Sequence, residues 1–288
     1  MEYNKIEHLI NEAQKNNVKI SEIVIKAEIE ETEFKRDVII EKMRENLEVM
    51  KDSIKEGINK NIKSASGLTG GDAVKLRDFD NFIGGKILQN IITKALAVSE
   101  VNACMGKVVA GPTAGASGIV PALLLSIAEE YKIEDDDVIK ALFTAGGLGE
   151  VVAKKATLAG AAGGCQAECG VGSAMAAGAA VELLGGSPKQ VGDAFALALK
   201  NLLGLVCDPV AGLVEVPCVK RNGFAASHAL TAVNMSMSNI ASVIPPDEVI
   251  EAMMEIGDLM SVSLKETSDG GLATTKTGKK IAEDLKDF

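Results

Sequence analysis

Aromatic residues are scarce in this chain of 288 residues, which has no Trp, two Tyr and seven Phe. So few aromatic rings leave no stacking platform for single-stranded nucleic acid. Positive charge is also in deficit, because 40 Asp and Glu outweigh 30 Lys and Arg and give a formal net charge of −10. This acidic balance lacks the basic surface of a general nucleic-acid binder. We therefore expect no nucleic-acid partner.

A hydrophobic stretch of signal-peptide length is missing from the N-terminal residues MEYNKIEHLINEAQ, which carry charges throughout. We therefore predict no secretory or transit segment and expect a cytoplasmic protein. The five Cys are an odd number, and in a reducing compartment they favour metal ligation or burial over a disulfide framework.

Charge is distributed unevenly along the chain. Residues 1–63 contain 14 acidic and 12 basic residues, whereas residues 141–207 contain only eight charged residues. The first segment must be largely solvated and the second largely buried, because unpaired charges are rarely found in protein interiors.

Amphipathic helices are predicted in the N-terminal segment, where apolar residues recur three and four positions apart. The members of this stripe are Ile23, Ile25, Ala27, Val38, Ile39, Met43, Leu47, Met50 and Ile54. A coiled-coil arm and a helical pair packed on the main body both fit, and the lack of a strict heptad favours the pair. The Gly- and Ser-rich stretch Ser64–Asp72 predicts a loop. We place a boundary there, between an amphipathic segment at 1–66 and a second domain at 67–288.

The second domain is rich in Ala, Gly and Leu, and strand-like alternation is scarce. The runs Ala122–Tyr131, Ala176–Leu184 and Asp193–Leu205 contain many good helix formers, so an all-α fold is predicted. The stretch 156–184 has nearly the length of a membrane span. However, Gln166 and Glu168 lie near its centre, where a charge costs about 3 kcal/mol, so we expect no membrane span.

Four of the five Cys lie in two short windows. Cys165 and Cys169 follow a Gly-rich bend, and Cys207 and Cys218 flank two prolines. Neither spacing matches a zinc ribbon, which needs Cys pairs separated by two residues. Cysteines in loops near Gly can surround one inorganic centre, but buried inert thiols fit the same pattern. Both interpretations stay open on spacing alone.

A Gly-rich loop precedes the predicted helix Ile119–Tyr131. Small residues before a helix N-terminus let backbone N–H groups approach an anion, and two hydroxyls lie beside them. The loop lacks the Gly-Lys-Ser/Thr of a P-loop and the Gly spacing of a dinucleotide site. The loop can be interpreted either as a simple capped turn or as a binding site for a small carboxylate. The candidate binding residues are Thr113, Ala114, Gly115, Ser117 and Gly118.

Three long strings carry a resemblance to a known family: GPTAGASGIVPALL, LAGAAGGCQAECGVGSAMAAGA and VCDPVAGLVEVPCVKRNGFAASHA. They resemble the α chain of the iron–sulfur-dependent L-serine dehydratases (L-serine ammonia-lyases), over essentially the whole chain. In that family three Cys hold a 4Fe–4S cluster and are spaced by 42 and then 11 residues. Cys165, Cys207 and Cys218 have that spacing, whereas Cys104 and Cys169 do not fit it. The resemblance therefore implies three ligands and a 4Fe–4S cofactor.

The resemblance also implies an all-helical iron–sulfur catalytic domain at 67–288 that deaminates L-serine to pyruvate and ammonia. The iron without a thiolate ligand would act as a Lewis acid for loss of the hydroxyl group, and the Thr113–Gly118 loop would hold the substrate carboxylate. A separate β chain, forming a heterodimer or higher assembly, would supply the smaller domain and a catalytic histidine, which fits the presence of only His8 and His228.

Alternatives stay open beside that resemblance. A related iron–sulfur lyase, such as a cysteine desulfidase, shares the ligand chemistry. A non-enzymatic membrane or assembly protein built on Gly/Ala helices would explain the composition without any catalysis. A pyridoxal phosphate enzyme would need a Schiff-base Lys with a phosphate loop, and the sequence has no convincing pair. His228 fits either a core histidine on a helix or a site residue ten positions after Cys218.

Overall fold

The computed structural model describes residues 3–286, and this range is built from α-helices joined by turns. The helices are α1 (Ile6–Asn16), α2 (Ile20–Thr32), α3 (Arg36–Asn59), α4 (Asp72–Arg77), α5 (Gly85–Ala103), α6 (Ile119–Tyr131), α7 (Asp135–Lys155), α8 (Gly160–Gly163), α9 (Val171–Leu183), α10 (Pro188–Lys200), α11 (Cys218–Met237), α12 (Pro246–Leu259) and α13 (Lys276–Asp284). No strand occurs within 3–286, apart from an isolated bridge between Cys207 and Lys265. The predicted all-α fold is confirmed.

Helix α9 lies at the centre of the molecule. All of its residues are buried, and α6, α7, α10 and α11 pack around it. Its sequence, VGSAMAAGAAVEL, is small or apolar on every face, which is typical of a core helix. A Cβ on Gly178 would lie only 2.5 Å from Leu148 Cδ1. Helix α7 can therefore pack closely against α9 at this point because residue 178 has no side chain. In the described part of the chain, no helix is long and apolar enough to cross a membrane.

Helices α1 to α3 form a layer on this core, with α2 against α7 and α3 against α5. Leu47, Met50 and Ile54 on α3 are buried in the same hydrophobic cluster as residues of α6 and α9. Val38, in the first turn of α3, is 43% exposed although it belongs to the predicted stripe. The segment therefore lies against the main body, and the boundary after residue 66 stays a prediction.

Three helices begin at carboxylates that are distant in sequence. The first N–H of α1 donates to Asp247 Oδ1 over 3.1 Å, and the first N–H of α2 donates to Glu182 Oε2 over 2.8 Å. The first N–H of α4 donates to Glu100 Oε1 over 2.7 Å. The residues at the local N-cap positions of α1 and α2, Lys5 and Lys19, supply no side-chain acceptor. Tertiary contacts thus provide the caps that local sequence normally provides.

The chain turns sharply after α10. The Ala/Leu run Asp193–Leu205 predicts a longer helix, but α10 ends at Lys200. Gly204 adopts a left-handed φ of +82°, and its N–H donates to the side-chain oxygen of Gln166. The N–H of Gln166 in turn donates to the carbonyl of Leu205. These contacts end the helix early and carry the chain toward Cys207.

Candidate active site

Three cysteines reach the candidate site from separate segments. Cys165 precedes a π-helical turn at 166–170 that leads into α9. Cys207 lies in an extended segment, where its N–H donates to Leu264 O over 2.9 Å and its carbonyl accepts from Glu266 N–H over 2.8 Å. Cys218 is the first residue of α11. Cys165 and Cys207 are buried and Cys218 is half-buried, and all three are free thiols.

The three thiols influence one another electrostatically. Burial and the neighbouring Cys165 raise the pKa of Cys218 to about 12. Burial, together with Cys165, also raises the pKa of Cys207 above its ordinary value. A hydrogen bond from Cys169 lowers the pKa of Cys165, which makes Cys165 the most readily ionised of the three. The three thiols therefore lie within electrostatic range of one another.

Gly160 lies beside Cys207 and Glu168, and its lack of a side chain leaves open space between them. A Cβ at position 160 would lie 3.1 Å from Cys207 Sγ and 2.6 Å from Glu168 Oε2. The second distance is shorter than a normal contact, so any side chain at this position would displace one of its neighbours. The missing Cβ therefore leaves space beside a thiol and a carboxylate.

Within residues 3–286, no group of three His, Cys, Asp or Glu side chains is close enough to hold a single metal ion. A 4Fe–4S cluster has a different requirement, because each thiolate binds a different iron atom and the thiolates stand further apart. Three thiols and a cradle free of side chain at Gly160 suit such a group. Cys169 contacts Cys165, and Cys104 lies at the end of α5. The assignment of Cys165, Cys207 and Cys218 as ligands stays a prediction.

The predicted carboxylate seat lies beside the thiols. Residues 114–116 form a single 3₁₀ turn before α6. The Thr113 hydroxyl donates to Glu168 Oε1 over 2.8 Å, which connects the loop to the segment that follows Cys165. Ala114 is exposed and Gly115 is half-buried. The loop therefore contacts the segment that carries Cys165, and a common site for the loop and the thiols stays a prediction.

Two members of the predicted seat have different environments. The N–H of Gly118 donates to Asn222 Oδ1 over 3.0 Å, so this N–H is already occupied. The hydroxyl of Ser117 is buried and has no hydrogen-bond partner among the described residues. A buried hydroxyl without a partner costs free energy unless a ligand or water satisfies it. Ser117 is thus a donor that the fold leaves unused.

Asn222 holds the loop and the third thiol together. Besides accepting from Gly118, its amide donates to Gly115 O over 2.7 Å and to Cys218 O over 3.0 Å. A Cβ on Gly118 would lie 2.4 Å from Ala95 O, so the loop can approach α5 only because this residue is glycine. The fully buried Asn222 therefore fixes the loop relative to the start of α11.

Arg221 supports the segment that carries Cys207. Its guanidinium donates to Val206 O and to Asp208 Oδ1, each over 2.8 Å. Asp208 is buried and also accepts from the Leu272 N–H over 2.7 Å. The positive charge of Arg221 favours the thiolate form of Cys165 and opposes the rise in the pKa of Cys218. It is the cation nearest to the thiols in this electrostatic network.

Glu168 faces the site with a single protein partner. Burial raises the pKa of its carboxyl, the hydrogen bond from Thr113 opposes the rise, and the charge of Glu266 adds to it. No Lys, Arg or His of the described range forms an ion pair with Glu168. The site therefore presents a partly buried carboxylate that lacks a cation.

Sequence reasoning missed three of these residues. Glu168 was considered only as an obstacle to a membrane span, although a charge within a Gly/Ala/Cys stretch is itself a signal of function. Arg221 and Asn222 follow Cys218 in the same string, and nothing in the local pattern distinguishes them. His228, on α11, is half-buried and bonds Ala198 O through Nε2 over 2.9 Å, as a core histidine would.

Comparison with known proteins adds an independent finding. The sequence profile of the family described as serine dehydratase alpha chain matches residues 15–273. The chain is 46% identical to the probable L-serine dehydratase, alpha chain, of Bacillus subtilis, over 98% of this chain and 95% of that protein. It is 40% identical to the L-serine dehydratase, alpha chain, of Peptoniphilus asaccharolyticus, over 98% of both. It also matches L-serine dehydratase TdcG of Escherichia coli at 44% identity, over 62% of this chain and 40% of that protein.

Proposed function

Because the chain belongs to the serine dehydratase alpha chain family, we propose that it is the α subunit of an L-serine ammonia-lyase, which converts L-serine to pyruvate and ammonia. One structural observation carries the proposal. The hydrogen bond from Thr113 to Glu168 connects the candidate seat to a carboxylate that, like Cys207, lies beside Gly160, and this supports a common site for the seat and the thiols.

The proposed cofactor is a 4Fe–4S cluster held by the thiolates of Cys165, Cys207 and Cys218. When bound, a cluster with only three protein ligands supplies an iron that acts as a Lewis acid toward the leaving hydroxyl group. The free space at Gly160 and the positive charge of Arg221 support this assignment. Arg221 offsets part of the negative charge that three thiolates bring into one buried volume.

The residues of the chain bind and orient the substrate. The N–H groups of Ala116, Ser117 and Gly118 are already bonded within the protein, so the seat uses the N–H groups of Ala114 and Gly115 together with the unused hydroxyl of Ser117. Thr113 positions Glu168, and Asn222 holds Gly115 and Gly118 in place. These contacts fix the α-carbon of L-serine beside the thiol cluster, which lowers the entropic part of the barrier.

A partner β chain is proposed to supply the base that removes the Cα proton. His228 is an unsuitable base because its Nε2 bonds Ala198 O, and His8 is exposed on α1. An active complex therefore requires a second chain that brings an acid–base group to the open side of the site.

The test is anaerobic purification of this chain alone and together with its β chain, followed by assays of iron, sulfide and pyruvate. We expect about four irons and four sulfides per α chain in the active complex, and no turnover of L-serine by the α chain alone. L-Cysteine serves as the competing substrate. Release of sulfide from L-cysteine with no pyruvate from L-serine would favour the desulfidase alternative, and activity in an iron-free complex would refute the proposal.

A further inference from the structure

Glu168 has fewer hydrogen-bond partners than three buried carboxylates of the core, Asp247, Glu182 and Asp208. Asp247 accepts from two backbone N–H groups and Lys155, and Glu182 accepts from two backbone N–H groups and the Thr144 hydroxyl. Asp208 pairs with Arg221 and accepts from a backbone N–H. Among residues 3–286, Glu168 accepts only from the Thr113 hydroxyl, so most of its acceptor capacity is unused.

The unused capacity of Glu168 points into the proposed site. Its Oε1 binds Thr113, at the edge of the carboxylate seat, and lies 3.6 Å from the place of a Cβ on Gly115. Its Oε2 and Cys207 Sγ both lie within 3.1 Å of the place of a Cβ on Gly160. The carboxylate therefore stands between the loop and the thiols.

The local charge favours a cation at this position. The carboxylate of Glu266 is close enough to act on Glu168 and on Cys207. Arg221, the nearby cation, is engaged by Val206 O and Asp208. In the part of the chain that the structure describes, neither carboxylate forms an ion pair, so their position is attractive for an ammonium group and unattractive for another carboxylate.

We propose that the carboxylate of Glu168 binds the α-ammonium group of the substrate, an inference that rests on the proposed function. The ammonium and carboxylate groups of an α-amino acid are attached to the same carbon, so their binding sites must adjoin. The 2.8 Å contact between Thr113 and Glu168 makes the two sites adjoin. Glu168 thereby selects amino acids over hydroxy acids and other simple carboxylates, and it sets the orientation of the α-carbon.

The test measures binding without turnover, by equilibrium dialysis of L-alanine and propionate against the iron-loaded complex of both chains. These two probes differ only in the ammonium group, and neither has a hydroxyl to eliminate. In the wild type we expect tighter binding of L-alanine than of propionate. In Glu168→Gln we expect the Kd of L-alanine to rise about tenfold or more, because a charge-assisted hydrogen bond is lost. The Kd of propionate should change by less than about twofold, since propionate makes no such bond.

Two further variants separate binding from support of the loop. Thr113→Val removes the hydroxyl that positions Glu168 at the edge of the carboxylate seat but keeps the charge, so it should weaken the binding of L-alanine and of propionate, whereas Glu168→Gln should weaken that of L-alanine alone. Glu168→Asp keeps the charge and should retain part of the preference for L-alanine even if Glu168→Gln fails to fold. Iron content and the visible absorption spectrum should be unchanged in each variant.

Equal weakening of L-alanine and propionate binding in Glu168→Gln would overturn the inference in favour of a structural role for Glu168. A fall in kcat for L-serine with unchanged Kd values would overturn it in favour of a proton-transfer role. The turnover assay tests the proposed function, and the dialysis experiment tests the role of Glu168, so the two proposals can fail separately. A wild-type complex that forms no pyruvate refutes the proposed function, whereas loss of the amino-acid preference in Glu168→Gln depends on Glu168 alone.

Discussion

Enclosed carboxylates occur both where the N-terminal layer meets the core and in the candidate site, but the two regions use them differently. Under the layer, Asp247 on α12 and Glu182 on α9 accept hydrogen bonds from the first N–H groups of α1 and α2 and from one further side chain each. In the site, Glu168 has one hydroxyl partner and no cationic partner within the described residues. A carboxylate whose partners are complete serves the fold, whereas one whose partners are incomplete has capacity for a ligand.

The same contrast holds for glycine. Gly178 is glycine because α7 packs against α9 there, so its missing side chain serves the core. Gly160 is glycine where a Cβ would intrude between Cys207 and Glu168, so its missing side chain leaves space in the site. Substitutions in one region should therefore affect stability, and substitutions in the other should affect iron and substrate.

The largest effect is expected from Cys207→Ser. A serine oxygen is a poor ligand for an iron–sulfur cluster, so bound iron and pyruvate formation should both fall to background in the variant purified without air. Cys104→Ser is the matched control, because Cys104 lies at the end of α5 and should retain both. Iron assays on the two complexes decide the question, and a full iron complement in Cys207→Ser would disprove the ligand assignment.

The next largest effect is expected from Gly160→Ala. The added methyl group would lie 2.6 Å from Glu168 Oε2 and 3.1 Å from Cys207 Sγ, so one of them must move. We expect kcat/KM for L-serine to fall about tenfold or more, because a displacement of about 1 Å at a reacting centre has a cost of this order. The midpoint of urea unfolding should change little.

Gly146→Ala is the control for that substitution. Gly146 lies within α7, is exposed, and has no atom near the place of its Cβ. Alanine in an exposed helix is more stable than glycine by about 0.5–1 kcal/mol, so this variant should be slightly stabilised and fully active. If Gly160→Ala kept full activity, the space at Gly160 would have no role in the site.

The fold was more predictable than the site, for a physical reason. Helices α6 and α9 follow from runs of Ala and Leu, and α3 from a periodic apolar stripe, because these signals are local. The end of α10 was not predictable, since Gly204 and Gln166 stop the helix through a tertiary contact. The position of Asn222 between the loop and Cys218 depends on three segments that meet only in the folded chain. The cysteine ligand set came from a family resemblance, and neither spacing nor periodicity could assign it.

A moderate effect on stability is expected from Glu182→Ala. The substitution removes the acceptor of the first two N–H groups of α2 and of the Thr144 hydroxyl. Each of these donors is buried, so we expect a loss of about 1–3 kcal/mol in the free energy of unfolding. Iron content and kcat at low temperature should not change, because Glu182 is outside the site.

Glu45→Ala, on the exposed face of α3, is the control and should change the unfolding free energy by less than about 0.5 kcal/mol. Urea unfolding of the two variants and the wild type measures the difference. Loss of iron in Glu182→Ala at temperatures where the protein is folded would contradict the separation of the two regions.

The smallest effect is expected in the pH dependence that Glu100 contributes. This carboxylate caps α4, and burial raises its pKa above that of the unfolded chain, with the backbone N–H groups of Asp72 and Ala73 opposing the shift. A raised pKa means that the folded state binds the proton more tightly, so the contribution to stability is greatest below the unfolded pKa of about 4.3. This contribution is lost as the pH rises through the higher pKa of the folded state.

Glu100→Gln cannot titrate, so the unfolding free energy of the wild type minus that of the variant should be larger at pH 5 than at pH 8. Iron-free samples of both proteins should be used, so that acid loss of the cofactor does not contribute. A difference that is constant between the two pH values would show that the backbone donors of α4 fully offset the burial of Glu100, and would place this carboxylate with Asp247 and Glu182 as a purely structural cap.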